Sequence, residues 1–192
     1  MPLPNPSALR LFTFLGGAKG QWLVERVESV AGESLPMTSH LAVVAEPNEP
    51  SGRSAVWSLR GITSNERYVV REEKSALAAR QEGLGRPTST RAALIPIRKS
   101  AEWWALPQDE RRQIFETQSR HIAIGMKYLP AVARRLHHCR DLGQDEPFDF
   151  LTWFEYAPSA ENAFNDLVAA LRASPEWEFV TREVDIRLRA VV

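Results

Sequence analysis

The chain has 192 residues, of which 44% are hydrophobic and 25% charged, and its 24 basic residues balance its 24 acidic residues. This neutrality argues against a nucleic-acid or anionic-membrane partner, because neither is attracted to a protein without excess positive charge. Cys139 is the single cysteine, which excludes an intramolecular disulfide and a thiolate metal site within one chain. No signal leader and no apolar stretch of spanning length is recognised, so a cytoplasmic location is expected.

The first half of the chain, residues 1–90, is expected to form a trimmed ferredoxin-like half of the fold. Its pattern is weak, because the stretch 31–53 is rich in Pro, Ser, Glu and Asn. The predicted elements in chain order are extended segments at Leu9–Leu15, Ala55–Gly61 and Arg67–Arg71, with an apolar island at Leu41–Ala45 and a short helix at Glu72–Gln81.

The second half, residues 91–192, has a clearer pattern that predicts the order β-α-β-β-α-β, a ferredoxin-like unit. The two halves are expected to pack together as one continuous α+β domain. The elements are a strand at Ala93–Ile97 that Pro96 places near a sheet edge, a helix from about Ala105 to Tyr128, strands at Val132–Arg140 and Phe148–Tyr156, a helix from Ser159 to Ala173, and a strand at Trp177–Leu188.

Two residues of this half suggest chemistry. His121 is placed near the C-terminal end of the long helix, and Arg134 on the strand after it. An imidazole can ligate a haem iron, and a permanently charged guanidinium can hold a small oxyanion, although a single helix histidine is more often packed or solvated. Arg135 competes with Arg134, since neighbouring strand residues point to opposite faces and only one of them can enter the site.

Glu155, on the second aromatic strand, is a candidate hydrogen-bond partner for His121. A carboxylate that accepts the Nδ1 proton would fix the tautomer and make the other ring nitrogen a stronger ligand. On an alternating strand Glu155 shares its face with Leu151 and Trp153, so a buried carboxylate there needs a partner. A solvated Glu155 at the strand end is the alternative.

Three segments resemble the chlorite dismutase family of haem b proteins: Ile97–Leu106, Arg120–Pro130 and Phe148–Glu155. The resemblance is strong from Arg91 onward and weak before about Trp57. It implies a dimeric α+β barrel fold, one haem b per chain, and decomposition of chlorite to chloride and dioxygen. The short chain is similar to the compact branch of the family, whose members tend to be homodimers.

The resemblance also implies roles for single residues. His121 corresponds to the proximal iron ligand, with Glu155 as its hydrogen-bond acceptor and Lys99 in the same network. Arg134 corresponds to the distal arginine of chlorite-decomposing members. The haem contacts implied are Trp103, Trp104, Ile97 and, near a propionate, Tyr68.

Other functions remain open from the sequence. Coproheme decarboxylases resemble this chain but carry a tyrosine where Ile95 stands, and isoleucine cannot form a tyrosyl radical. A haem-binding or peroxidase-like protein without chlorite turnover, and a ferredoxin-like dimer without a cofactor, are further alternatives. A metal site at His137, His138 and Cys139 is disfavoured, because adjacent residues on a strand point in opposite directions.

Overall fold

The computed structural model describes residues 11–45, 55–63, 68–143 and 145–191, and the strands of these residues close into an eight-stranded antiparallel barrel. Around the barrel the strands follow the order β1-β3-β2-β8-β5-β7-β6-β4. Their bounds are β1 Leu11–Gly17, β2 Trp22–Ala31, β3 His40–Ala45, β4 Ala55–Thr63, β5 Arg91–Lys99, β6 Val132–His138, β7 Phe150–Tyr156 and β8 Val180–Ala190.

Both halves of the chain contribute four strands in the same spatial order. Counted within each half, that order is fourth, first, third, second: β4-β1-β3-β2 and then β8-β5-β7-β6. The halves join at two seams. The seam between β2 and β8 is long, running from Trp22 to Ala31, whereas the described residues of β4 and β6 pair through Ile62 with His138 and Thr63 with His137.

The helices of the second half connect its strands. They are α2 Ala101–Ala105, α3 Gln108–Arg112, a π-helical segment Gln113–Gln118, α4 His121–Lys127 and α5 Glu161–Arg172, while the first half supplies α1 Arg71–Arg80. Short 3-10 turns lie at Pro158–Ala160 and Pro175–Phe179. Among the described residues, no helix combines the length and apolar character needed to cross a membrane.

Strand alternation divides the core into two clusters. One draws on strands of both halves and fills the barrel, with Leu151 and Trp153 of β7 among its members. The other joins Phe154 of β7 to the apolar stripe of α5, where Phe164 and Leu167 are buried. Along β5, β6 and β7, successive side chains therefore alternate between the barrel interior and the helices.

Several predicted elements need correction. The long helix is interrupted, and His121 is the first residue of α4 because Arg120 before it has a left-handed φ of 54°. β5 has neighbours on both sides, so the edge position inferred from Pro96 is wrong. Ser159 makes no side-chain cap for α5, which follows the turn at Pro158–Ala160.

The weaker first half shows further differences. β2 was not predicted, since charged residues interrupt the apolar pattern of its sequence. Of the predicted extended segment Arg67–Arg71, Arg67 lies outside the described residues and Arg71 begins α1. The start of the predicted strand Leu9–Leu15 likewise lies outside them. In the second half, Trp177 lies in a 3-10 turn, and β8 starts only at Val180.

Candidate functional site

A cleft lies between the helix-facing side of β5, β6 and β7 and the helices that cover it. Its space is about 1180 Å³ when the part open to solvent is included. Ile95, Ile97 and Phe154 line the sheet wall, and His121 and Phe115 line the helix wall. The cleft is thus mainly apolar with a few polar groups, which is the usual character of a cofactor site.

The His121 imidazole is fixed on three sides. Its Nδ1 lies 2.7 Å from Oε2 of Glu176. The ring of Phe115 stacks on the imidazole with centroids 4.4 Å apart. The Trp177 ring is also nearly parallel to the imidazole, at a longer centroid distance of 6.4 Å. With Nδ1 bonded to a carboxylate, Nε2 is the ring nitrogen with which His121 can ligate a metal.

Glu176 links His121 to Lys99. Lys99 Nζ donates to Oε1 of Glu176 at 2.6 Å, and both side chains are buried. Burial alone would raise the pKa of Glu176, but the charges and hydrogen bonds of His121 and Lys99 lower the pKa to about 2. Burial lowers the pKa of Lys99, and the neighbouring Glu176 opposes that shift. Lys99 is therefore linked to His121 through Glu176.

Glu155 is not the partner of His121, and that prediction is wrong. Its Oε1 accepts from Trp153 Nε1 at 2.8 Å, and its Oε2 accepts from the Gly85 amide at 2.6 Å. Strand alternation explains the error, because Glu155 and Trp153 share the barrel-facing side of β7 whereas His121 lies on the helix side. Glu155 is also only 8% exposed, so the solvated alternative is equally wrong.

Arg134 and Arg135 lie on opposite faces of β6, and Arg134 is the one that lines the cleft. Its guanidinium packs so closely on Gly125 that a Cβ there would lie 2.1 Å from one terminal nitrogen. Burial lowers the pKa of Arg134, and within the described part of the chain no carboxylate forms an ion pair with it. Arg135 instead lies 3.8 Å above the Phe12 ring and donates from Nε to His137 Nε2 at 3.1 Å.

The two tryptophans differ in position. Trp103 lines the cleft and is 1% exposed, with Lys99 Nζ 3.7 Å from its ring centroid. Trp104 does not line the cleft, contrary to the prediction: it stacks on Phe150 at 5.8 Å and donates from Nε1 to Asp149. Neighbouring residues on α2 point about 100° apart, so only one indole can face the sheet.

The remaining predicted residues lie at the cleft. Ile97 is on its sheet wall, and Tyr68, with a left-handed φ of 63°, lies at its rim, where its hydroxyl accepts from Arg111 at 3.1 Å. His138 also faces the cleft, whereas His137 points into the barrel, where its Nδ1 contacts the Leu151 carbonyl. Burial and then Arg135 lower the pKa of His137 to about 3.

Sequence reasoning missed Glu176 and Phe115. Glu176 stands in the turn Ser174-Pro175-Glu176-Trp177, between the predicted helix that ends at about Ala173 and the predicted strand that begins at Trp177. The Ser-Pro pair was the available signal, since proline after serine favours a turn that can aim an acidic side chain inward. Phe115 has no comparable signal, because its contact with His121 depends on the break between the π-helical segment and α4.

The residues present fit a haem. A haem needs a nitrogen ligand, flat apolar surroundings and hydrogen-bond donors for its charged edge. His121 offers the ligand. Trp103 Nε1 is buried without a hydrogen-bond partner in the described structure and is a donor for that edge. Gly125, one turn after His121, has no side chain, and this lets the Arg134 guanidinium reach the cleft wall beside α4.

Comparisons with known proteins agree with this geometry. The profile of the chlorite dismutase family matches residues 51–190. A chlorite dismutase of Ideonella dechloratans is 32% identical over 130 residues, which are 65% of this chain and 42% of that protein, so the match spans less than half of the relative.

Solved structures give the same result. The dimeric chlorite dismutase of Nitrobacter winogradskyi is 57% identical, with a TM-score of 0.86 over 94% of this chain and 99% of that one. A mutant chlorite dismutase of Candidatus Nitrospira defluvii is 21% identical, with a TM-score of 0.68 over 94% and 91% of the two chains. The second match is a likeness of fold.

Proposed function

Because the chain belongs to the chlorite dismutase family, we propose that it is a haem b oxidoreductase that decomposes chlorite to chloride and dioxygen. The observation that carries the proposal is the cleft in which the His121–Glu176–Lys99 network and the Arg134 guanidinium meet. A buried imidazole network suits an iron ligand, and an unpaired guanidinium suits a small anion.

The proximal network has a defined task in this proposal. Haem, when bound, supplies the redox-active iron at which the Cl–O bond of chlorite breaks and the two oxygen atoms are joined. His121 would hold the iron through Nε2, because Glu176 accepts the Nδ1 proton and keeps the ring in one tautomer. Lys99 keeps Glu176 ionised, so the acceptor stays a carboxylate throughout the cycle.

Arg134 has the complementary task toward the substrate. It stays charged at any accessible pH and lies in a cleft with apolar walls, where a charge–charge attraction is much stronger than in water. Its guanidinium therefore binds the chlorite anion and retains the chlorine oxyanion that forms when the first Cl–O bond breaks. Ile97 and Phe154 limit the water in the same cleft.

The structure also bears on the decarboxylase alternative. Ile95 lines the cleft, so the position at which a coproheme decarboxylase carries its reactive tyrosine has no phenol here. An aliphatic side chain there can shield a haem but cannot pass an electron or a proton to a propionate. Chlorite chemistry is the better match to this chain.

The finer features of fold and assembly belong to the same proposal. The repeated strand order of the two halves supports two ferredoxin-like halves, 1–90 and 91–192, in one domain. The dimeric relative from Nitrobacter winogradskyi supports a homodimer, and the sequence alone supports a cytoplasmic location. Light scattering after gel filtration tests the dimer, which has twice the 21.7 kDa of one chain.

Oxygen evolution tests the function. The purified protein is loaded with haemin, its Soret band is recorded, and dioxygen is followed with an electrode after chlorite is added. Free haemin at the same concentration is the control. Oxygen release well above this control supports the proposal. A stable haem complex that releases none would indicate a haem-binding protein without turnover, and failure to bind haem would reject the cofactor itself.

A further inference from the structure

The helical segment before His121 has an unusual geometry, which brings Phe115 and Glu116 into contact with the first turn of α4. In an unbroken α-helix, residues 115 and 121 would be about 120° apart around the axis and about 9 Å apart along it, at roughly 100° and 1.5 Å per residue, and their side chains would not stack. Here the π-helical segment Gln113–Gln118 and the left-handed Arg120 change the path of the chain. Phe115 and Glu116 both contact α4 as a result.

Phe115 sets one side of the imidazole. Its ring stacks on His121 with centroids 4.4 Å apart and planes within 24° of parallel. Tyr68 supports Phe115 from another direction, with ring centroids 5.6 Å apart. A flat, supported ring at this distance restricts rotation of the imidazole about its χ2 bond, since a turned ring would collide with the phenyl face.

Glu116 holds the backbone from which His121 projects. Its Oε2 accepts from the Ile122 amide at 2.7 Å, and its Oε1 faces the Ala123 amide at 3.4 Å. These amides belong to the first turn of α4, where a helix has no internal acceptors. A carboxylate there also interacts favourably with the positive end of the helix.

We propose that the π-helical segment is a positioning device for the proximal ligand, in which Phe115 fixes the plane of the His121 imidazole and Glu116 fixes its backbone. Neither is a catalytic residue, since both act through His121. The inference rests on the proposed function, because the orientation of the imidazole matters through the iron that it ligates. Phe115 and Glu116 complement Glu176. The hydrogen bond between Glu176 and Nδ1 fixes the position of that ring atom, but it still allows the imidazole plane to rotate about the hydrogen bond.

The test compares three variants of the haem-loaded protein with the wild type. Phe115→Leu removes the flat face and keeps an apolar side chain, Glu116→Ala removes the carboxylate, and Glu116→Gln keeps an acceptor oxygen. Glu110→Ala, at an exposed glutamate of the adjacent α3, is the matched control. The readouts are the iron–histidine stretching band of the ferrous protein, the rhombicity of the ferric EPR signal, and the rate of haem transfer to apomyoglobin.

We expect Phe115→Leu to shift the iron–histidine band and raise the rhombicity. Glu116→Ala should speed haem loss roughly fivefold, as expected from about 1 kcal/mol for a lost helix cap. Glu116→Gln should fall between Glu116→Ala and the wild type, which keeps the test valid if Glu116→Ala does not fold.

Unchanged band, rhombicity and haem loss in Phe115→Leu and Glu116→Gln, with haem bound normally by the wild type, would overturn this inference and leave the proposed function standing. Equal changes in Glu110→Ala would overturn it as well. A wild type that takes up no haem would overturn both.

Discussion

The two faces of the β6–β7 sheet carry similar residues in different states. The barrel face holds Arg135, His137 and Glu155, and the cleft face holds Arg134 and lines the same cleft as His121. On the barrel face every member has a partner within the fold: Arg135 donates to His137, His137 meets the Leu151 carbonyl, and Glu155 accepts from Trp153 and Gly85.

On the cleft face the polar groups are arranged toward an incoming group. The Arg134 guanidinium has no carboxylate partner among the described residues, and Trp103 Nε1 has no acceptor there. A buried polar group without a partner costs stability, so a fold keeps one where a ligand completes it. Residue type therefore does not distinguish structural from functional positions around this sheet. The distinction is whether the polar group of a residue already has a partner within the fold.

The largest difference is expected between the two histidines. His121→Ala should weaken haem binding more than roughly 100-fold, since loss of a neighbour of a metal ligand alone costs 10–100-fold. The fold should stay intact, because the His121 side chain is 22% exposed. Soret absorbance during haem titration measures the affinity.

His137→Ala is the matched control on the barrel face. It should keep the haem and lower the free energy of unfolding by roughly 2–4 kcal/mol, because the ring is fully buried. Haem retention by His121→Ala would remove that residue as the ligand.

The two arginines should separate activity from stability. Arg134→Ala is expected to lower chlorite turnover by roughly 10- to 150-fold, which corresponds to about 1.5–3 kcal/mol for a hydrogen bond to a charged group, while the haem stays bound. Arg135→Ala should preserve turnover per bound haem and cost about 1–3 kcal/mol of stability. Initial oxygen-evolution rates and urea titrations measure the two effects. The reverse pattern would show that the wrong arginine faces the substrate.

The two glutamates, Glu176 and Glu155, should differ in their effect on the proximal ligand. Glu176→Gln should increase the haem dissociation rate about tenfold and shift the iron–histidine band to lower frequency, since a neutral acceptor makes the imidazole a weaker ligand. Glu155→Gln should leave the band in place and lower stability by about 1–3 kcal/mol, because the amide nitrogen cannot accept from Trp153 or Gly85. A band shift in Glu155→Gln alone would restore the original assignment.

The smallest effect concerns the pH dependence of stability on the barrel face. The pKa of His137 is about 3 in the fold against 6.5 for the free side chain. Between pH 6.5 and pH 3 the His137 imidazole is protonated in the unfolded chain but neutral in the folded protein. Lowering the pH in this range therefore favours the unfolded state, and the free energy of unfolding of the protein falls.

This residue should contribute a loss of about 1.4 kcal/mol per pH unit as pH falls below about 6.5. Urea titrations at pH 6.5 and 5.5 give the change in the free energy of unfolding with pH for the wild type and for His137→Gln. The difference between these two changes is the contribution of His137. Parallel slopes for the two proteins would contradict the assigned burial of a neutral ring.

Long apolar patterns allowed much of the fold to be predicted. The strand β7 and the helix α5 were recognised because aromatic residues and a helical stripe extend over whole elements, whereas β6 was ambiguous by itself and was assigned as a strand from the loop and the strand that follow it. Elements that depend on partners were not recognised. β2 is stabilised chiefly by pairing with β8, and its charged residues give no local signal.

The site was predictable where the resemblance supplied residue types and unpredictable where geometry decided among them. His121 and Arg134 line the cleft and Lys99 lies in the hydrogen-bond network of His121, whereas Glu155 was named as the acceptor and Glu176 was not considered. Both carboxylates are plausible from residue type, and only the face of β7 distinguishes them. The alternation argument had already placed Glu155 with Leu151 and Trp153, and following it to the end would have excluded the contact with His121.

The seam between β4 and β6 is one of two places at which few residue pairs hold the barrel together, the other being the two pairs between β2 and β3. Among the described residues only Ile62–His138 and Thr63–His137 join β4 to β6, whereas the seams on either side, β1–β4 and β6–β7, are paired along most of their length. Amide hydrogens there exchange with solvent through a small local opening, because few ladder bonds have to break together. His137 and His138 face opposite sides of this seam, so one local fluctuation loosens the wall of the cleft and the lining of the barrel at the same moment.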